Sequence, residues 1–200
     1  MHIRIKANTV LFLAAMASFA GIAASAQSVA PGEPKPSPEL AIDYNYVHSN
    51  APPGDCGCIN LNGGSATFAW PLGKGTFAIV GDIGATHAGS ISSENNDLTL
   101  STYTAGARYS PRFGHWGHAR LQPFGQVLVG VAHTDGSLVS TTSNSGAAFA
   151  SLVGGGLDLR ATHRFSFRLF EADYLVTTFD NGDNDHQNNL RIAAGLVLHF

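Results

Sequence analysis

The sequence predicts an all-β protein: a closed up-and-down antiparallel transmembrane β-barrel of about eight strands. Three observations carry this. Stretches of roughly ten residues alternate apolar side chains with polar or small ones, the period of a strand. Charged residues make up only 12% of the chain, where a typical soluble domain has ~25%. An export-type leader opens the chain, and no apolar run after it is long enough for a membrane helix.

The leader is residues 1–26. Arg4 and Lys6 form its positive start, Val10 to Ala23 its apolar centre, and Ala24-Ser25-Ala26 an A-x-A cleavage site. A membrane anchor is the other reading, but the apolar centre is shorter than the ~20 residues a spanning helix needs. Residues 27–38 contain SVAPGEPKPSP, a Pro-rich, aperiodic segment expected to be an extended periplasmic lead-in. Residues 39–200 are expected to form one barrel domain. The net charge is −3, more negative without the leader, and there is no basic stripe for nucleic acid.

The strands follow in order. Strand one, about Glu39–His48, sends Leu40, Ile42, Tyr44 and Tyr46 outward and Ala41, Asp43 and Asn45 inward. Strand two, about Ser65–Leu72, has Ala66, Phe68 and Trp70 out and Ser65 and Thr67 in. After a tight Gly73-Lys74-Gly75 turn, strand three (about Thr76–His87) sets Phe77, Ile79, Ile83 and Ala85 against Ala78, Val80, Asp82 and Thr86. Strand four, about Thr99–Ser110, sets Tyr103, Ala105, Ala107 and Tyr109 against Thr102, Thr104, Gly106 and Arg108.

Strand five, about Arg120–His133, faces Leu121, Val127, Val129 and Val131 out and Gln122 and Gln126 in. Strand six, about Ala147–Arg160, faces Phe149, Val153, Leu157 and Leu159 out and Asp158 and Arg160 in. Strand seven, about Phe165–Thr177, is less regular: Phe170, Ala172, Tyr174 and Val176 outward, Glu171 and Asp173 inward. That phase puts Arg168 outward near the periplasmic end, to snorkel or to be re-aimed by a bulge. Strand eight, Asn189–Phe200, reads NLRIAAGLVLHF, with Leu190, Ile192, Ala194, Leu196, Leu198 and Phe200 on one apolar face.

A secreted soluble barrel also alternates. Its exterior, however, would have to be the polar set, which here is mostly Ala, Gly, Thr and a few charges. The connections agree with a membrane barrel: long after odd strands (Ser49–Gly64, Ala88–Leu98, Thr134–Gly146, Thr178–Asn188) and mostly short after even ones. Acids such as Asp55, Glu94, Asp97, Asp135, Asp180, Asp183 and Asp185 occupy the long connections, which contain no Lys or Arg. Lys74, Arg112, Arg120 and Arg164 occupy the short ones.

Gly195, Leu198 and the final Phe200 resemble the C-terminal signal of bacterial outer-membrane barrels that the outer-membrane assembly machinery reads, with Ala193 where that signal prefers a polar residue. With the strand pattern, the chain resembles the OmpA-like family of small eight-stranded outer-membrane barrels, without the peptidoglycan-binding domain of full-length members. The resemblance implies the cell outer membrane, a monomer, no cofactor, and a structural or loop-mediated surface-binding role. It also implies three partners: lipopolysaccharide or other outer-membrane lipid, the barrel assembly machinery, and periplasmic chaperones.

Four groups of residues are candidates for function. The inward charges Asp43, Asp82, Arg108, Asp158, Arg160, Glu171, Asp173 and Arg191 either plug the lumen with ion pairs or line a narrow cation-leaning pore, since a lumen this size barely fits its own side chains. The rim histidines His48, His87, His133 and His186 are polar interface residues, or metal ligands if the fold gathers them. Cys56 and Cys58, in the first long connection, pair as a strained disulfide or bind metal. Lipid A-modifying enzymes exist among small outer-membrane barrels, but the His-x-Ser that the hydrolases carry is missing here. No catalytic residue, metal site or enzyme activity is therefore expected.

Overall fold

The computed structural model describes residues 36–49, 59–89, 97–111, 115–116, 119–136, 145–179 and 186–200. Eight strands form the wall: β1 (Glu39–Ser49), β2 (Ile59–Leu72), β3 (Phe77–Ala88), β4 (Leu98–Tyr109), β5 (Ala119–Gly136), β6 (Ser145–Arg160), β7 (Phe165–Thr177) and β8 (Gln187–His199). Each pairs antiparallel with the next, and β1 pairs with β8 from Glu39↔His199 to Ser49↔Asn189. The sheet is thus closed and has no free edge. A two-residue strand, His115–Trp116, folds back on Arg120 and Ala119 between β4 and β5.

Alternation sets the faces. Large apolar side chains such as Ile42, Phe68, Ile83, Val129, Phe149, Tyr174 and Leu196 are exposed, while Asp43, Thr67, Asp82, Arg108, Asp173 and Arg191 are buried. A water-soluble barrel would do the reverse. Exposed apolar residues occur on every strand, so they form a band rather than an isolated patch. Tight turns close the short connections: Gly73 and Gly75 have positive φ (54° and 82°) and the Gly75 amide donates to the Leu72 carbonyl at 2.8 Å. The amide of Phe165 donates to Thr162 Oγ1 at 3.0 Å.

Several strand boundaries differ from expectation, and Arg168 takes the bulge alternative. β2 begins at Ile59 rather than Ser65. Its Asn- and Gly-rich start reads as a loop, yet it ladders onto β1, and outward Asn62 and Asn60 accept hydrogen bonds from Tyr44 (2.6 Å) and Tyr46 (2.8 Å). β5 and β6 also run slightly beyond their expected ends. Arg168 faces inward, not toward lipid. A bulge in β7 places Leu169 and Phe170 together on the outside, opposite Ala194, and every residue before them changes face.

The bulge makes a specific expectation. Deleting Leu169 removes the extra residue and leaves Arg168 and Glu171 both inward, so the heat-resistant, gel-shifted form should persist. Deleting Ala172 instead turns Glu171 toward lipid and should abolish it. If both deletions fold equally well by gel shift, the bulge does not set the register of β7.

Candidate functional site: the lumen and its mouth

Inward positions of all eight strands meet in one side-chain network. Arg168 on β7 donates from Nε to Asp158 Oδ1 on β6 (3.0 Å) and from Nη1 to Asp43 Oδ2 on β1 (2.9 Å). Its Nη1 also lies 2.7 Å from Glu171 Oε2, a close charge contact not aligned as a hydrogen bond. Glu171 continues the chain through Oε1, which accepts from Arg191 Nη2 on β8 at 2.8 Å. Arg191 also donates from Nε and Nη2 to Asp173 Oδ2 (3.0 and 2.9 Å) and from Nη1 to Asp82 Oδ1 on β3 (3.0 Å). Thr67 on β2 donates to Asp82 Oδ2 at 2.7 Å.

β4 and β5 join through Arg108, whose Nε and Nη2 both donate to Gln126 Oε1 (3.1 and 2.8 Å), and through Gln126 Nε2, which donates to Glu171 Oε1 at 3.1 Å. The Phe124 ring lies against both Arg108 (4.3 Å to the guanidinium carbon) and Arg168 (4.7 Å), within cation–π range. Glycines make the room. A Cβ on Gly195 would run into the Asp43 carboxylate and the Ile42 carbonyl, and one on Gly154 into Asp173.

The expected lumen residues are therefore brought together with one exchange. Arg160 sits half-buried at the periplasmic mouth, donating to the His163 carbonyl at 3.2 Å, and takes no part in the central pairs. Arg168 occupies the place expected of it. Strict alternation points Arg168 outward, and of the two alternatives that this leaves open, snorkelling or a bulge, the bulge is the one present. Gln126 faces inward as its strand's alternation predicts, whereas Phe124, an apolar side chain on the inner face, carries no sequence signal of its place beneath the two arginines.

A second layer lies above the charges. Toward the extracellular ends, Val47, Leu61, Leu98, Leu100, Leu128, Leu152 and Leu175 are buried inside the barrel as one apolar cluster, with Phe179 packed against it. The lumen is charged below, and above the charges leucines pack among buried neutral polar groups such as Ser49, Thr134, Thr177 and Asn189. The sequence signal is present in runs such as Val127–Val131, where Leu128 is as apolar as its outward neighbours. Sorting apolar residues to lipid overlooks it.

At the periplasmic mouth three strands contribute a chain of polar groups. Ser166 Oγ lies 2.6 Å from His199 Nε2, and His199 Nδ1 lies 3.3 Å from Glu39 Oε1. Register explains the contact, since Glu39 faces His199 across β1–β8 and Ser166 is diagonal to it across β7–β8. The composition is that of a hydrolase triad, but its order is inverted. Ser166 is 2% exposed and the acid is the most open member, whereas a nucleophile has to be offered to its substrate. These residues tie the closing strands together.

The rim histidines are separate. His48 Nδ1 lies 2.7 Å from Asn60 Oδ1, His87 Nδ1 3.0 Å from Thr99 Oγ1, and His133 Nε2 3.3 Å from Asp135 Oδ1. Among the described residues no three His, Cys, Asp or Glu side chains converge as metal ligands. Cys56 and Cys58 lie outside the described residues. Leu198 and Phe200 face outward, Phe200 being 71% exposed with its amide donating to the Pro38 carbonyl at 3.0 Å.

No family model and no curated protein sequence matches the chain. Solved structures do. Neisserial surface protein A (NspA) superposes with a TM-score of 0.60 over 82% of this chain and 97% of its own, at 13% identity. The outer membrane protein OprG from Pseudomonas aeruginosa superposes with a TM-score of 0.50 over 84% and 98%, at 11% identity. The fold is that of the small outer-membrane β-barrels, and the outer membrane is the location that fold and the apolar band require.

The network should show itself in stability. Arg168→Ala leaves the carboxylates of Asp43 and Asp158 without their cation and should cost about 3–5 kcal/mol, as for other broken buried pairs. Adding Asp43→Asn and Asp158→Asn to Arg168→Met should restore much of it. Urea unfolding in detergent micelles measures both, and an Arg168→Ala midpoint equal to the parent's would show that these contacts do not support the fold.

Proposed function

We propose that this chain is a monomeric outer-membrane barrel whose lumen is a structural plug and whose work is done by its outer wall and extracellular connections. The observation that carries this reading is the two-layered lumen, in which an ionic network lies beneath a packed apolar cluster. A conducting path would have to break ion pairs below and hydrate leucines above. Were both layers to open, five carboxylates against three guanidinium groups would favour cations, but nothing in the geometry favours the open form. The inverted Ser166–His199–Glu39 chain likewise argues for structure over catalysis. Outer-leaflet lipid, the barrel assembly machinery and periplasmic chaperones are the partners this role requires, with residues 1–26 as the export leader.

Planar-bilayer recording tests the plug. The parent and Arg191→Ala should give no regular conductance steps, because the apolar layer remains, whereas Arg191→Ala combined with Leu128→Ser and Leu152→Ser should leak cations. Regular steps from the parent would replace the plug with a pore. A separate measurement addresses assembly: Phe200→Ala should lower the amount inserted in the outer membrane while export across the inner membrane continues. Unchanged insertion would remove Gly195, Leu198 and Phe200 as a sorting signal.

A further inference from the structure

The outer wall differs from one side to the other. On β1 to β4 the register aligns three outward rows. The lowest is apolar, Ile42↔Ala66↔Ile83↔Tyr103. The next is recessed, Tyr44↔Gly64↔Ala85↔Ser101. The highest is polar, Tyr46↔Asn62↔His87↔Thr99. Along the lowest and middle rows runs an open groove of about 410 Å³, with Ile42, Ala66, Ile83 and Tyr103 on its lower side and Gly64, Ala85 and Ser101 along its recessed floor. Tyr44, in the middle row, donates its hydroxyl up to Asn62. On the far wall, the outward residues toward the extracellular ends of β6 to β8 are instead mainly apolar, among them Phe149, Tyr174 and Leu190.

We infer that this groove is a binding site for an outer-leaflet glycolipid, with one acyl chain in the groove and the saccharide headgroup on the polar row. The inference rests on the outer-membrane placement proposed above and goes on to name the ligand and its site. The occupant follows from where the groove lies. It is continuous with the lipid-facing band, so whatever fills it comes from the bilayer. Strands of such barrels tilt ~35–45°, so a row that crosses them climbs through the leaflet as a chain would. Four strands at ~4.8 Å spacing give it a length of roughly 14 Å.

The polar row selects the headgroup. Asn62, His87, Thr99 and Tyr46 offer amide, imidazole and hydroxyl groups, and neither the row nor the groove contains a Lys or Arg. Neutral donors and acceptors beside an aromatic match sugar hydroxyls and amides. An anionic phosphate would call for charge-assisted donors. The polar row therefore lies at the level where the headgroups begin, directly above the chain-binding recess.

The test places the intact barrel in nanodiscs of phosphatidylcholine with added lipid A stripped of its two phosphates, a neutral acylated disaccharide, and counts retained lipids by native mass spectrometry. The parent should keep a single molecule of this lipid A. Ala85→Leu, which fills the groove, and Asn62→Ala with His87→Ala, which strips the polar row, should each lose it. Ala172→Leu on the far wall should keep it. Ser101→Leu fills the same groove from the neighbouring strand and replaces Ala85→Leu should that variant lack the gel-shifted form. Equal retention by the parent and the groove-filled variants would overturn the site, and equal retention of phosphatidylcholine and the neutral lipid A would overturn the headgroup assignment. Either result leaves the bilayer recordings, and so the plugged-barrel reading, standing.

Discussion

Arg168 and its carboxylates are the contact on which the rest of the barrel depends. The guanidinium is fully removed from solvent, and one of its partners, Asp43, is 125 residues away in sequence. Burying that charge unpaired would cost several kcal/mol, so its placement demands Asp43 and Asp158 on the strands that bring them near. It also demands a glycine at 195, because any side chain there would displace Asp43. From Arg168 the contacts pass through Glu171 to Arg191, then to Asp82 and Thr67, and through Gln126 to Arg108. No strand is left out. A one-residue slip anywhere in the ladder would swing at least one of these groups toward lipid, so the network fixes register as much as it contributes stability.

The lumen divides its work by depth. Polar contacts occupy the periplasmic and central part, where side chains from opposite walls are close enough to pair. Toward the extracellular ends leucines and alanines pack among buried Ser49, Thr86, Thr134, Thr177, Gln187 and Asn189. The desolvation of these groups is offset by neutral hydrogen bonds, such as Thr177 Oγ1 to Gln187 Oε1 and Asn189 Nδ2 to the Leu175 carbonyl, rather than by ion pairs. The two layers fail differently, the lower by losing a partner and the upper by opening a cavity. A barrel sealed by both resists leaking through either defect alone.

How far the sequence reveals this follows from the same physics. Strand existence, order and facing are legible because lipid outside and a narrow lumen inside impose period two on every strand, and the acid-only long connections mark one end. Arg168 is half legible: an arginine out of phase on the lipid side signals either a snorkelling side chain or a bulge, but a bulge that spends two residues on one face leaves no compositional trace to decide between them. The upper layer is illegible for another reason. Leu128 and Leu152 are inward leucines in strands whose outward residues are also apolar, so hydrophobicity no longer reports direction. The start of β2 reads as a loop because Asn and Gly usually make turns. Here Asn60 and Asn62 are acceptors for tyrosines on the neighbouring strand, a pairing visible only once β1 and β2 are in register. The grouping of Ser166, His199 and Glu39 is likewise a product of closure, drawn from both ends of the barrel sequence.

With the interior committed to holding the wall together, selectivity toward surroundings falls to the outside. The apolar band is generic, since any barrel in lipid needs one. Its upper boundary is not. On β1 to β4 the band gives way to hydrogen-bonding rows below the strand ends, while on β6 to β8 it persists nearly to them. A uniform leaflet cannot satisfy both walls equally, because its hydrocarbon edge would strand polar groups on one side or wet apolar ones on the other. Something amphipathic has to sit against the β1–β4 wall with its own polar–apolar boundary set lower, or the barrel has to tilt to level the two. Basic residues at the periplasmic turns, such as Lys74 and Arg164, act against a large tilt by holding that end near the opposite headgroups. The wall asymmetry is therefore met more economically by a lipid bound on that side than by rotation of the whole barrel.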